Sequence, residues 1–130
     1  MLKIVVIDAN AMARGLLTTL LTAAGHEVIG DSNTSPAGLA RAIKLAPQLI
    51  CIDIGAANAA ALTLLDELRA GLPKTLLLLV SADVDPALLQ AATTHGVTGV
   101  IVKPFKSTSV LAVIRNAVLQ VARAQSRPAA

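Results

Sequence analysis

Five short aliphatic runs alternate with five helix-forming segments, and this alternation limits the chain to few folds. The runs fall at residues 2–7, 27–31, 48–53, 75–80 and 99–102. In the third, Leu49, Ile50, Cys51 and Ile52 follow one another without interruption and meet a single carboxylate, Asp53. A continuous apolar run of this length reads as a strand buried on both faces, as in a parallel sheet.

The segments between the runs carry helix starts and stops. Asn10 is a cap ahead of a stripe at Met12, Leu16, Leu20 and Ala23/Ala24, and Gly25 is the stop. Ser35-Pro36 and Asp85-Pro86 are caps followed by proline at the first helical position. The helices they open are expected to run to about Ala46, before Pro47, and to about His95, before Gly96. Residues 54–61 read as a loop into a third helix that reaches Ala70, with Gly71 at the stop. Ser107 or Thr108 starts a fifth helix with its stripe at Val110, Ile114, Ala117/Val118 and Val121. Strict β-α alternation with short connections predicts a doubly wound, flavodoxin-like α/β fold. Its five parallel strands take the order 2-1-3-4-5, with helices on both faces. Residues 1–124 form one domain and residues 125–130 a polar C-terminal tail.

Composition narrows the functional classes. Of the 130 residues 55% are hydrophobic, but Phe105 is the only aromatic, so Ala, Leu, Val and Ile build the core. The longest aliphatic run, residues 76–80, is far short of the roughly 18 residues a membrane span needs. Lys3, Asp8 and Asn10 break any signal-peptide pattern, which leaves a cytoplasmic protein as the expectation. Cys51 is alone, so it pairs with no second cysteine and reads as a small core residue. The net charge of +3 comes with scattered cations, among them Lys106, Arg115, Arg123 and Arg127. With Phe105 the only aromatic that could stack on a base, nucleic acid is not an expected partner. His26 and His95 have no Cys or carboxylate at metal-ligand spacing and read as capping or surface residues.

Four runs end in a residue suited to phosphate or metal chemistry: Asp8, Asp53, Ser81 and Lys103. In a parallel sheet these ends share one edge, and Asp8 and Asp53 flank the switch point between strands one and three. A carboxylate can act as a nucleophile and form an acyl phosphate. Two carboxylates can hold Mg²⁺. A lysine supplies a point charge for phosphoryl oxygens, and a hydroxyl one more hydrogen bond. A plain salt bridge between Asp8 and Lys103 would account for those two without any chemistry. No Gly-x-Ser-x-Gly elbow, P-loop or dinucleotide fingerprint is present. A flavin would lack an aromatic to sandwich it.

These residues carry a resemblance. From residue 2 to about 123 the chain resembles the receiver domain of response regulators, the fold of the bacterial chemotaxis regulator. The matching motifs are Val6-Ile7-Asp8, Asp53, Ser81-Ala82 and Lys103-Pro104-Phe105. The resemblance implies a two-component phosphorelay in which Asp53 takes a phosphoryl group from a histidine kinase or a histidine phosphotransfer protein. Ser81 and Lys103 would contact that group. Asp8, Asp53 and the Gly55 carbonyl would hold Mg²⁺, and Lys103-Pro104 would be a cis peptide. Any catalysis would be limited to self-phosphorylation and self-dephosphorylation. The surface of helix four, strand five and helix five would meet the downstream target.

The sequence also departs from the family pattern. Ala9 replaces the second acid of the usual pair, which weakens the expected Mg²⁺ site, and the side-chain amide of Asn10 is the nearest substitute. Ala56-Ala57 and Ala60-Ala61 replace Met-Pro and Asp-Gly. Val100 stands where an aromatic usually reports phosphorylation. Two functions follow: a phosphoacceptor switch, or a phosphorylation-independent interaction module on the same fold. The chain is compatible with a stand-alone protein and with a fragment of a larger regulator.

Overall fold

The computed structural model describes residues 1–56, 58–83 and 85–126, with side chains up to residue 123. Five β-α units follow one another: β1 (Lys3–Ile7), α1 (Ala11–Ala23), β2 (Glu27–Ser32), α2 (Pro36–Leu45), β3 (Leu49–Ile52), α3 (Ala59–Gly71), β4 (Leu76–Ser81), α4 (Pro86–Thr94), β5 (Val97–Val102) and α5 (Ser107–Ser126). All strand pairs are parallel, and the order is β2-β1-β3-β4-β5, as expected.

Successive side chains of a strand point to opposite faces, so a strand covered on both sides must be apolar throughout. β3 meets that condition, with Leu49, Ile50, Cys51 and Ile52 all fully buried. Val5, Ile7, Ile50, Ile52, Leu77 and Leu79 face the layer of α2, α3 and α4. Ile4, Val6, Leu49, Cys51, Leu78 and Val80 face α1 and α5. Each such aliphatic side chain contributes about 1.5–3 kcal/mol by leaving water. Burial pushes the Cys51 thiol up to about 12, so it behaves as a packing residue.

The helix caps form as the sequence implies. Asn10, Ser35 and Asp85 each accept a first-turn N–H, from Ala13, Gly38 and Ala87. Four expectations need correction. The buried face of α1 is Leu17 and Leu21, whereas Met12 and Leu16 are 77% and 59% exposed. The doublets Leu16-Leu17 and Leu20-Leu21 offer two stripes about 100° apart, and periodicity alone does not choose between them. α3 begins inside the expected loop, because Asn58 caps it through Ala61 N–H at 2.8 Å, and Gly71 is its last residue. α5 continues through Ser126, so the first two residues of the expected tail are helical. The rest of that tail lies outside the described residues. β5 also starts two residues early, because Val97 pairs with Leu77. Among the described residues no helix is long and apolar enough to cross a membrane.

Candidate functional site

Asp8, Asp53 and Lys103 each stand one residue beyond a strand, and each backbone N–H continues the ladder. Asp8 N–H donates to Ser32 O (3.0 Å), Asp53 N–H to Ile7 O (3.0 Å) and Lys103 N–H to Ser81 O (2.9 Å). The sheet therefore fixes three backbones at one edge before any side chain acts. The side chains then meet: Lys103 Nζ lies 2.7 Å from Asp53 Oδ2 and 2.8 Å from Asp8 Oδ2. The side chains of Asp8, Asp53 and Lys103 are 7%, 18% and 20% exposed, which leaves Asp53 reachable from solvent.

The remaining carboxylate oxygens are held by backbone. Asp8 Oδ1 accepts from Asn10 N–H and Asp53 Oδ1 from Gly55 N–H, both at 2.8 Å. Gly55 takes φ +73°, a left-handed conformation that glycine adopts without steric cost, and its N–H turns back onto the aspartate. Burial acts to lower the pKa of Lys103. The hydrogen bonds and charges of Asp53 and Asp8 outweigh it, and the ammonium is held above its ordinary value.

Of the four expected residues the structure brings three into contact. Ser81 lies at the same edge and is buried, but its hydroxyl donates to Asp83 O (2.7 Å) and accepts from Asp83 N–H (3.2 Å). Asn10 does not replace the missing acid: its Oδ1 accepts from Ala13 N–H at 3.0 Å as the α1 cap. The Lys103-Pro104 bond is cis, as expected.

Sequence reasoning missed Arg14, whose Nη1 donates to Asp8 O at 2.7 Å and so braces the backbone of a site residue. Its signal was its place as the only charge on α1. His95 is the C-cap residue of α4, and its Nδ1 lies 2.5 Å from Asp66 Oδ1, a carboxylate distant in sequence. His26 Nδ1 accepts from Leu2 N–H at 3.2 Å; burial, then the terminal ammonium, lower its pKa. Among the described residues no three His, Cys, Asp or Glu side chains cluster as a metal site. The metal donors that the structure shows at the edge are thus the two carboxylates of Asp8 and Asp53. Magnesium is held by one or two carboxylates with waters completing its shell, so the set fits the ion at its lower limit.

A doubly wound α/β domain places its ligand site at the switch point of the sheet, and here two aspartates and a lysine converge there. A family model, the response regulator receiver domain, matches residues 4–115, and the chain belongs to that family. The chemotaxis protein CheY of Thermotoga maritima is 25% identical over 109 residues, which cover 84% of this chain and 91% of that protein. The solved structure of CheY4 from Vibrio cholerae superposes with a TM-score of 0.78 at 24% identity, over 90% of this chain and 98% of that one. NtrX from Brucella abortus, solved in complex with ADP, matches with a TM-score of 0.80 at 26% identity over 96% of this chain. The chain spans 28% of the length of NtrX. Receiver domains serve two-component signalling, in which they meet histidine kinases and downstream effectors, and they generally bind Mg²⁺ for phosphorylation.

Proposed function

We propose that this domain, taken as residues 1–124, is a cytoplasmic phosphoacceptor switch, with Asp53 as the acceptor. The observation that carries the reading is the single Lys103 ammonium shared by Asp8 and Asp53 at 2.8 and 2.7 Å. In the proposed step an Asp53 carboxylate oxygen attacks the phosphorus of a phosphohistidine on a kinase or phosphotransfer protein. An O–P bond forms, the P–N bond breaks, and the leaving imidazole takes up a proton. Lys103 stays beside the new acyl phosphate as a charge partner. Ser81, released from Asp83, offers a hydroxyl to the phosphoryl oxygens. Asp8, Asp53 and the Gly55 carbonyl would hold Mg²⁺, which when bound neutralises phosphoryl charge. Ala9 adds no oxygen to that set, so binding is weak. The downstream partner is assigned to the α4-β5-α5 surface, where Val102 is 45% exposed.

A second reading, a phosphorylation-independent interaction module, has its own support. With Ala9 in place of an acid, Lys103 by itself already bridges both carboxylates, and Val100 cannot swing as an aromatic does. Intact-mass spectrometry after incubation with acetyl phosphate and Mg²⁺ separates the two. A phosphoryl adduct that disappears in Asp53→Asn supports the switch. Absence of an adduct with either Mg²⁺ or Mn²⁺ supports the module. Ala9→Asp is expected to tighten Mg²⁺ binding measured by calorimetry, and unchanged binding would overturn the account of the metal site.

A further inference from the structure

Beside the aspartate site, a polar cleft of about 450 Å³ opens between α1, the end of β2 and the start of α2. Arg14, Asp31, Asn33, Ser35 and Arg41 line it. We propose that this cleft binds a phosphate-class oxyanion, as free phosphate or as a phosphomonoester.

The hydrogen-bond inventory of the cleft leaves an excess of donors. Asn33 uses its Oδ1 to accept from Ser35 N–H (3.1 Å), and Ser35 uses its Oγ to accept from Gly38 N–H (3.1 Å). Both acceptors are thus engaged by the loop itself, while the Asn33 amide N–H groups and the Ser35 O–H stay available as donors. Arg41 Nη2 donates to Asp31 O at 2.7 Å, and its Nε and Nη1 have no partner among the described residues. Arg14 is braced on Asp8 O through Nη1, and its Nε forms an ion pair with Asp31 Oδ2 at 3.6 Å that is longer than a hydrogen bond. Two guanidinium groups are therefore each anchored on a strand-end carbonyl, with part of each donor fork left over for the cleft. Asp31 is the one acid in the lining, and its side chain is 53% exposed. The lining carries two positive charges against that one, and a tetrahedral dianion with several acceptor oxygens complements it. The cleft is separate from the Asp53 acceptor, so the inference stands whether or not Asp53 is phosphorylated.

The test is an amide chemical-shift titration of the whole chain with inorganic phosphate at pH 7.5, against sodium chloride at equal ionic strength. Saturable shifts are expected at Asn33, Ser35, Ala37 and Gly38, and they should persist in Asp53→Asn. Arg41→Gln, at an exposed position, should raise the apparent Kd at least about tenfold, the loss of a charge-assisted hydrogen bond. Asn33→Asp keeps the acceptor that Ser35 needs but adds a negative charge, and should abolish binding. The inference is overturned if chloride reproduces the shifts, if Asp53→Asn removes them, or if both cleft variants bind phosphate as tightly as the parent chain. Phenyl phosphate identifies the source. Binding as tight as that of inorganic phosphate supports a monoester ligand, and binding of inorganic phosphate alone supports free phosphate.

Discussion

Replacing Lys103 by methionine tests the central arrangement directly. The substitution removes the ammonium and keeps most of the side-chain volume. Asp8 Oδ2 and Asp53 Oδ2, each under 3 Å from Nζ, then face one another without a cation between them. At a separation of about 4–5 Å and an effective dielectric constant of about 20, two unit charges repel by about 3–4 kcal/mol. Asp53 is 18% exposed and part of that repulsion is screened, so a loss of about 2–3 kcal/mol at pH 7 is expected. For a domain of this size that corresponds to a fall in Tm of about 10 °C. Urea unfolding followed by far-UV circular dichroism is the suitable assay, because the chain has no Trp or Tyr. Adding Asp8→Asn to Lys103→Met removes one of the two facing charges and should return at least about half of the lost stability. A single variant that loses less than about 0.5 kcal/mol, or a double variant less stable than the single, would refute the shared-ammonium account.

Lys103 has a raised folded-state pKa, so its contribution is fully present below the ordinary lysine value of 10.5 and is lost only as pH rises through the higher folded value. The stability gap between the parent chain and Lys103→Met should therefore be constant from pH 8 to 10 and shrink above 10.5, and shrinkage already below pH 10 would contradict it. Leu17→Ala should cost about 2–5 kcal/mol by opening a core cavity, while Leu16→Ala stays within about 0.5 kcal/mol; equal losses in thermal melts would put the α1 face the wrong way round. A Cβ on Gly38 would lie 2.6 Å from Asn33 O and 3.1 Å from the Ser32 side chain, so Gly38→Ala should destabilise by about 1–3 kcal/mol in urea unfolding.

Much of the site was legible because it is built from strand ends. A continuous apolar run fixes where a strand lies, and a parallel sheet puts every carboxyl end on one edge. Asp8, Asp53 and Lys103 could therefore be grouped without coordinates. Ser81 was grouped with them by the same rule, yet its hydroxyl turns to Asp83, a choice made by the local loop. The side-chain amide of Asn10 was a candidate substitute for the missing acid, but capping α1 occupies its oxygen. The bond from Arg14 to the site was not legible because its acceptor is the Asp8 backbone carbonyl, and a sequence does not display which carbonyls remain unpaired.

By itself the sequence determined the β-α alternation, the strand order, the caps of α1, α2 and α4 and the identity of the charged groups at the sheet edge. These depend on short-range periodicity, and on the few crossovers a parallel sheet allows. The tertiary structure decided which of two apolar stripes on α1 is buried, and that one ammonium serves two carboxylates. It also decided that Arg14 and Arg41 converge on the end of β2. Those outcomes depend on how a helix is rotated against the sheet and on distances between side chains as far apart in sequence as Asp8 and Lys103. Packing and long-range electrostatics set such distances, and local pattern carries no record of them.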